Sequence, residues 1–175
     1  AIKLADKIAI MEKGKLVQYD TPENILKHPA NQFVESFVGK KRIWSQPTLI
    51  KVKDLMIEHP ITGSPNYSIF YCLNKMKMMR IDSLMIVDEQ GLFLGCLYAE
   101  SLQGAKGTKK KAKDFMISDV VTVDKENTII ELTKLVKENR LSNIPVVDET
   151  GKLVGLITRS SLITALSQQF LEEEV

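Results

Sequence analysis

Asn143 to Leu162, NIPVVDETGKLVGLITRSSL, is the stretch whose reading decides the fold. An apolar run, Ile144 to Val147, meets a turn at Asp148-Glu149-Thr150-Gly151. A second apolar run, Leu153 to Ile157, leads into the polar Thr158-Arg159-Ser160-Ser161, where an amphipathic stretch opens. That order reads as strand, hairpin turn, strand and helix. Gly151 suits the left-handed position closing a four-residue turn, and Gly155 inside the second strand signals close backbone approach.

The same text stands sixty residues earlier without a gap, as SLMIVDEQGLFLGCLYAESL from Ser83 to Leu102. Asp88, Glu89, Gly91 and Gly95 fall on Asp148, Glu149, Gly151 and Gly155. The register extends back through Lys53-Asp54-Leu55-Met56-Ile57 on Lys113-Asp114-Phe115-Met116-Ile117, Thr62 on Thr122, Ile69 on Ile129 and Arg80 on Arg140. One supersecondary unit is therefore used twice, stacked so that each copy covers the other's apolar face. The pattern resembles the CBS domain, and the tandem pair resembles the Bateman module. The fold class this implies is α/β (α+β), with one unit at 52–105, a Lys-rich linker at 106–111 and a second unit at 112–167.

Composition narrows the function. A formal charge of +2 over 175 residues is too small to imply nucleic acid. Cys72 and Cys96 stand far apart in apolar runs, with no CxxC and no histidine cluster, and read as reduced core cysteines rather than a metal site or disulfide. No continuous apolar run is long enough to span a bilayer, so membrane association is expected through a partner.

Ahead of the repeat, Ala1 to Ala5 reads as the end of an amphipathic helix. A strand at Asp6 to Glu12, a Lys13-Gly14 turn and a returning strand at Lys15 to Tyr19 follow. Thr21-Pro22-Glu23 starts a helix that stops near His28-Pro29, and a second helix, Asn31 to Val38, closes on Gly39. This order resembles the end of an ABC-transporter ATP-binding domain. The 175 residues contain no GxxxxGK[ST] loop and no LSGGQ-type signature. Residues 1–44 are thus expected to be an ATPase remnant without activity of its own, ATP belonging to the absent part of the parent. A strand pair cut from its sheet is marginal alone, so this segment is expected to be partly rearranged or packed on a partner chain. A linker at 45–51 follows, with Trp44 beside it as a packing anchor.

Within the units, the helix at about Tyr67 to Arg80 places Ile69, Cys72, Leu73 and Met76 on one face, and the helix at Thr128 to Asn139 offers Ile129, Leu132, Leu135 and Val136. Met76, Met78, Met79 and Met85 read as core or dimer seam. Gly104 to Asp114 reads as a solvated Lys-rich loop or a lipid-touching patch. An acidic tail occupies 168–175.

The CBS resemblance implies clefts that take adenosine-containing ligands, lined by the strand at each unit's start, the backbone before the "IPVV" run and a T-x-x-D-like segment. In the second unit that segment is Thr158-Arg159-Ser160-Ser161, with serine in place of the ribose-binding aspartate. Arg159 at a helix start, with free N–H groups and the helix dipole, reads as an anion site. The first unit has Tyr98-Ala99-Glu100-Ser101, where Glu100 would oppose phosphate. The second cleft is expected to bind, through Ile61, Asn143, Ile144, Leu156, Ile157, Thr158 and Arg159. No catalytic or metal-binding residue is expected. The missing aspartate favours a ligand whose ribose hydroxyls are already esterified, and cyclic di-AMP is two-fold symmetric like a homodimer interface. Asn143 would lie beside an adenine edge, with Ile61, Leu156 and Ile157 against its face.

An ATPase tail joined to two CBS units resembles the ATP-binding subunits of osmoprotectant ABC importers for glycine betaine, carnitine and choline. In Gram-positive members, cyclic di-AMP at the CBS pair shuts uptake down. The resemblance implies a regulatory homodimer at the cytoplasmic side of the membrane, held there by permease subunits and served by a substrate-binding protein. The alternatives are a structural dimerisation or ionic-strength-sensing module without nucleotide, and an AMP or ATP sensor.

Overall fold

Each repeat folds as the same strand–helix–hairpin unit. In the first, strand β4 (Thr62–Gly63) runs parallel to β5 (Ser83–Val87), helix α3 (Ile69–Met79) crosses between them, and β6 (Phe93–Tyr98) returns antiparallel to β5. In the second, β7 (Val123–Asp124), α4 (Ile129–Asn139), β8 (Asn143–Val147) and β9 (Leu153–Thr158) repeat the arrangement, and α5 (Arg159–Phe170) follows. The computed structural model describes residues 5–39, 49–105, 108–139 and 141–170. Trp44, Arg140, most of the linker at 45–51, Lys106 and Gly107 of the Lys-rich loop and 171–175 of the tail lie outside the described residues.

Local chemistry sets the boundaries. Ser68 caps α3 by accepting the Tyr71 N–H, and Arg80 ends it in the left-handed conformation at φ 54°. Thr128 and Glu131 cap α4 reciprocally: the Glu131 N–H donates to Thr128 Oγ1 at 3.3 Å and the Thr128 N–H donates to Glu131 Oε2 at 2.6 Å. The two hairpins turn on Asp88 and Asp148. Their carboxylates accept N–H groups two and four residues on, while Gly91 and Gly151 take φ of 84° and 80°.

Each unit carries its own core. Ile69, Cys72, Met76, Leu84, Ile86, Leu97 and Leu102 form the first; Val123, Leu132, Ile144, Val146 and Ile157 the second. Leu73, Leu135 and Val136 pack on these cores as the helical spacing predicts. Of the methionines, Met76 and Met85 are buried, whereas Met78 and Met79 are exposed on α3.

The units exchange their leading segments. Val52, at the start of the first repeat, is buried in the second core, and Ala112, at the start of the second, is buried in the first. Strand β3 (Ile57–Glu58) adds antiparallel to β9, pairing Ile57 with Leu156 and Glu58 with Gly155. Reciprocally, Ile117 and Cys96 exchange both backbone hydrogen bonds, at 2.8 and 2.9 Å. The halves in space therefore differ from the repeats in sequence, and neither buries its core without the other's leader.

Residues 5–39 correct the first half of the expectation that this segment is partly rearranged or packed on a partner chain: it is not rearranged. Strands β1 (Ile8–Glu12) and β2 (Lys15–Asp20) and helices α1 (Pro22–Lys27) and α2 (Gln32–Val38) are regular. Ile10, Ile25, Val34 and Val38 bury one another in a small core of their own. Thr21 and Asn31 cap the helices as the sequence predicts, so two capped helices supply the cover that a bare hairpin lacks.

Candidate functional site

The two units meet on a pseudo-two-fold axis that passes between residues sixty positions apart. Asn143 Nδ2 donates to Ser83 Oγ at 2.9 Å. At the other end Leu92 bridges Lys152, flanked by Phe93 N–H to Gly151 O at 3.0 Å and Leu153 N–H to Gly91 O at 3.1 Å. Glycines stand where the leaders cross. A Cβ on Gly95 would overlap the Ile117 carbonyl oxygen, and one on Gly155 would overlap Met56 Sδ. The close approach expected at Gly155 is thus made by the other repeat's leading segment.

At the end of β9 the chain enters α5 through a closed set of hydrogen bonds. Thr158 Oγ1 accepts the Ser161 N–H at 3.1 Å; Ser161 Oγ accepts the Thr158 N–H at 3.0 Å and donates to Thr158 O at 2.9 Å. The Arg159 N–H donates to Ser142 O at 3.1 Å. Two of the N–H groups expected to be free for an anion are therefore engaged. Ser161, standing where the family's pattern has aspartate, turns its hydroxyl back on the helix start. The Arg159 side chain is exposed, and no carboxylate among the described residues pairs with it.

The first unit's counterpart has a different chemistry. Ala99 N–H donates to Asp82 O at 2.8 Å, matching Arg159 and Ser142. Burial, reinforced by the neighbouring Cys96 thiol, pushes the Tyr98 phenol up to about 12, so it stays neutral. Ala99 lines a groove of about 590 Å³ with Phe70, Leu73, Asn74, Lys77 and Ile81. Sixty residues on, Asn74, Lys77 and Ala99 become Lys134, Lys137 and Arg159. These three positions thus carry three cations in the second unit against one in the first.

The seven residues predicted from sequence divide. Asn143, Leu156 and Thr158 share one face of the β8–β9 hairpin, with Arg159 at its exit. Ile144 and Ile157 pair with each other on the opposite face and are each 1% exposed in the second core, so their side chains are closed to a ligand. Ile61 packs against the first unit's core, ahead of a strand that pairs with β5. Asn143's amide, expected beside an adenine edge, is bound to Ser83. Sequence reasoning missed the contact of Asn143 with Ser83, although the repeat places the two in register.

Among the described residues no cluster of His, Cys, Asp or Glu is placed to hold a metal, and no helix is long and apolar enough to cross a membrane. Cys72 and Cys96 are free and buried, and burial pushes the Cys96 thiol up to about 11. A thiol held protonated is a poor nucleophile.

Comparison with known proteins agrees with the fold. The CBS domain family model matches residues 52–104 and 112–168. The glycine betaine/carnitine/choline transport ATP-binding protein OpuCA of Bacillus subtilis is 37% identical over 164 residues, covering 93% of this chain and 43% of that protein. The chain thus spans less than half the length of that relative. Among solved structures, Staphylococcus aureus OpuCA superposes with a TM-score of 0.58 at 29% identity, over 66% of this chain and 97% of that one. The CBS domain pair of protein MJ0100, in complex with 5′-methylthioadenosine and S-adenosyl-L-methionine, gives 0.61 at 26% identity, over 68% and 97%. With more than half its residues matched in two consecutive copies, the chain belongs to the CBS-domain family.

Proposed function

We propose that the chain is the regulatory module of an osmoprotectant ABC importer's ATP-binding subunit, and that cyclic di-AMP binds its second unit across a homodimer interface to inhibit uptake. The observation that carries the reading is the exposed, unpaired Arg159 guanidinium at the start of α5, facing no counterpart charge among the described residues. A guanidinium beside a helix N-terminus suits a phosphodiester, and Lys134 and Lys137 add to the positive potential. The similar CBS pair of MJ0100 holds adenosine-containing ligands, which favours a nucleoside-bearing anion over a bare one. Through the parent subunit the module would act at the cytoplasmic side of the membrane, beside permease subunits and a binding protein that choose the quaternary amine. The ligand would bias the arrangement of two protomers and so the ATPase dimer.

One observation favours a second reading. Thr158, Ser161, Asn143 and Ser83 already satisfy one another, as they would in a module that only dimerises the ATPase or responds to ionic strength. Titration calorimetry with cyclic di-AMP, AMP and ATP separates the readings. Heat from cyclic di-AMP alone supports the proposal, heat from AMP or ATP makes the chain an adenylate sensor, and none from any ligand gives the second reading.

A further inference from the structure

The turn that opens each repeat has the same sequence pattern and the same backbone bonds, yet its side chains do different things. Val52 N–H donates to Asn127 O at 2.8 Å and Lys53 N–H to Lys125 O at 3.0 Å; sixty residues on, Ala112 N–H donates to Tyr67 O at 2.9 Å and Lys113 N–H to Pro65 O at 3.0 Å. Asp54 and Asp114 each accept the N–H of the lysine three residues before, at 2.8 Å. The backbone latch is thus present twice.

The charges are not. Lys51 and Lys53 grip Glu126 at 2.8 and 2.9 Å. The position equivalent to Glu126 in the first unit is Asn66, so Lys111 and Lys113 have no such carboxylate. Among the described residues, only the first turn meets the amino-terminal segment. There Lys27, at the end of α1, holds Glu23 at 2.9 Å and Asp54 at 2.6 Å, and Lys51 stands 3.9 Å from Glu23. The Lys27 side chain is only 10% exposed. A lysine so covered needs its carboxylates: burial alone would lower its pKa, and Asp54 and Glu23 more than reverse that.

We propose that Glu23, Lys27, Lys51, Lys53, Asp54 and Glu126 form a clasp by which the CBS pair holds the amino-terminal segment in one orientation. Glu126 is its positioning residue. It neutralises the two lysines of the turn, leaving Asp54 free to take Lys27. Because Val52 is buried in the second core and Lys51, Lys53 and Asp54 flank it against the turn of Glu126, the clasp fixes α1 to that half of the pair. The turn also runs directly into β3, which lies on β9. A movement of that half therefore carries α1 with it, without any contact to a ligand. The proposal does not depend on what the cleft binds.

Spin labels at Ser36 and Glu138, both exposed, test it by pulsed dipolar spectroscopy, Cys72 and Cys96 being buried. The full chain at low salt should give one narrow distance. The distribution should broaden about two-fold in Lys27→Ala and Glu126→Gln, and in wild type when salt rises from roughly 0.1 to 1 M and the screening length falls from about 10 to 3 Å. Lys27→Arg should restore the narrow peak, and Asn66→Glu, which adds a carboxylate at the turn without a docked helix, should leave it unchanged. Melting temperatures should stay within about 2 °C of wild type. An unchanged width in Lys27→Ala and Glu126→Gln overturns the clasp. So does broadening with a large fall in melting temperature, because the ion pairs would then hold the fold rather than the orientation.

Discussion

Asn143 and Ser83 hold the same place in the two repeats and are bound to each other, amide to hydroxyl, at 2.9 Å. A residue can touch its own repeat-mate only on the axis relating the copies, so this bond marks the axis and the seam between the halves. Ser83 is 7% exposed, which leaves water little access to replace a lost partner.

Removing that partner should cost stability rather than binding. For Asn143→Ala the loss is about 1–3 kcal/mol, the penalty for a buried hydroxyl left unsatisfied, or a fall in melting temperature of several degrees. Affinity for cyclic di-AMP should stay within about three-fold, under 1 kcal/mol. Thermal melts and calorimetry on the same preparation check both. A large loss of affinity with an unchanged melt would return Asn143 to the adenine edge.

The two crossing glycines should differ in their tolerance of a methyl group. At Gly95 the new Cβ meets a backbone carbonyl of Ile117, and φ is 154°, so neither strain nor overlap can relax cheaply. At Gly155 it meets Met56 from Sδ down to Cβ; the thioether can swing aside, and Cβ, 3.2 Å away, must give by a few tenths of an ångström. Gly95→Ala is therefore expected to cost about 2 kcal/mol or more and Gly155→Ala about half as much. Urea denaturation of the two variants gives the order directly.

The repeat itself, the hairpin turns and the helix faces were all legible, because each depends on residues close in sequence. Period-3.6 spacing put Ile69, Cys72 and Met76 inside, and the glycine in a strand announced a neighbour. Which neighbour was not legible. Ungapped identity says that Met56 corresponds to Met116, but it is silent on which copy each packs against, and here the leaders are exchanged. The site was legible as a segment and not as a set of side chains. Strand alternation already puts Ile144 and Ile157 on the face opposite Asn143, Leu156 and Thr158, and applying it would have removed both isoleucines. The satisfaction of Ser161 by Thr158 needed coordinates.

Acid should open the clasp before it unfolds the units. Hydrogen bonds from Lys51 and Lys53 hold the Glu126 carboxylate down at about 2, against 4.5 in its absence. A carboxylate with a depressed folded pKa contributes stability above the unfolded value and loses it as pH falls through the folded one. Docking of α1 should thus be full near neutrality and fade between about pH 4.5 and 2, with a small energy because the pair faces solvent. The Ser36–Glu138 distance measured across that range should broaden in wild type, while Glu126→Gln should already be broad at neutral pH and change little on acidification.

Arg159→Ala separates the proposed ligand site from every structural reading. If the guanidinium anchors a phosphodiester, its removal deletes a charge-assisted hydrogen bond worth roughly 1.5–3 kcal/mol, and affinity for cyclic di-AMP should fall by about one to two decades. In a symmetric dimer the loss occurs twice per ligand, so the measured fall should lie towards the upper end. The fold should be nearly indifferent, because an exposed arginine without a carboxylate partner contributes little to stability. Glu100→Ala is the matched control at the equivalent turn of the first unit and should leave binding intact. Lys134→Ala and Lys137→Ala should each weaken binding less than Arg159→Ala, since a flexible ammonium gives up one point charge and not a two-pronged contact. Calorimetry on the four variants and sedimentation with and without ligand decide the matter. Wild-type affinity in Arg159→Ala would remove the second unit's cleft as the site, and a stable monomer in the presence of ligand would remove the symmetric interface.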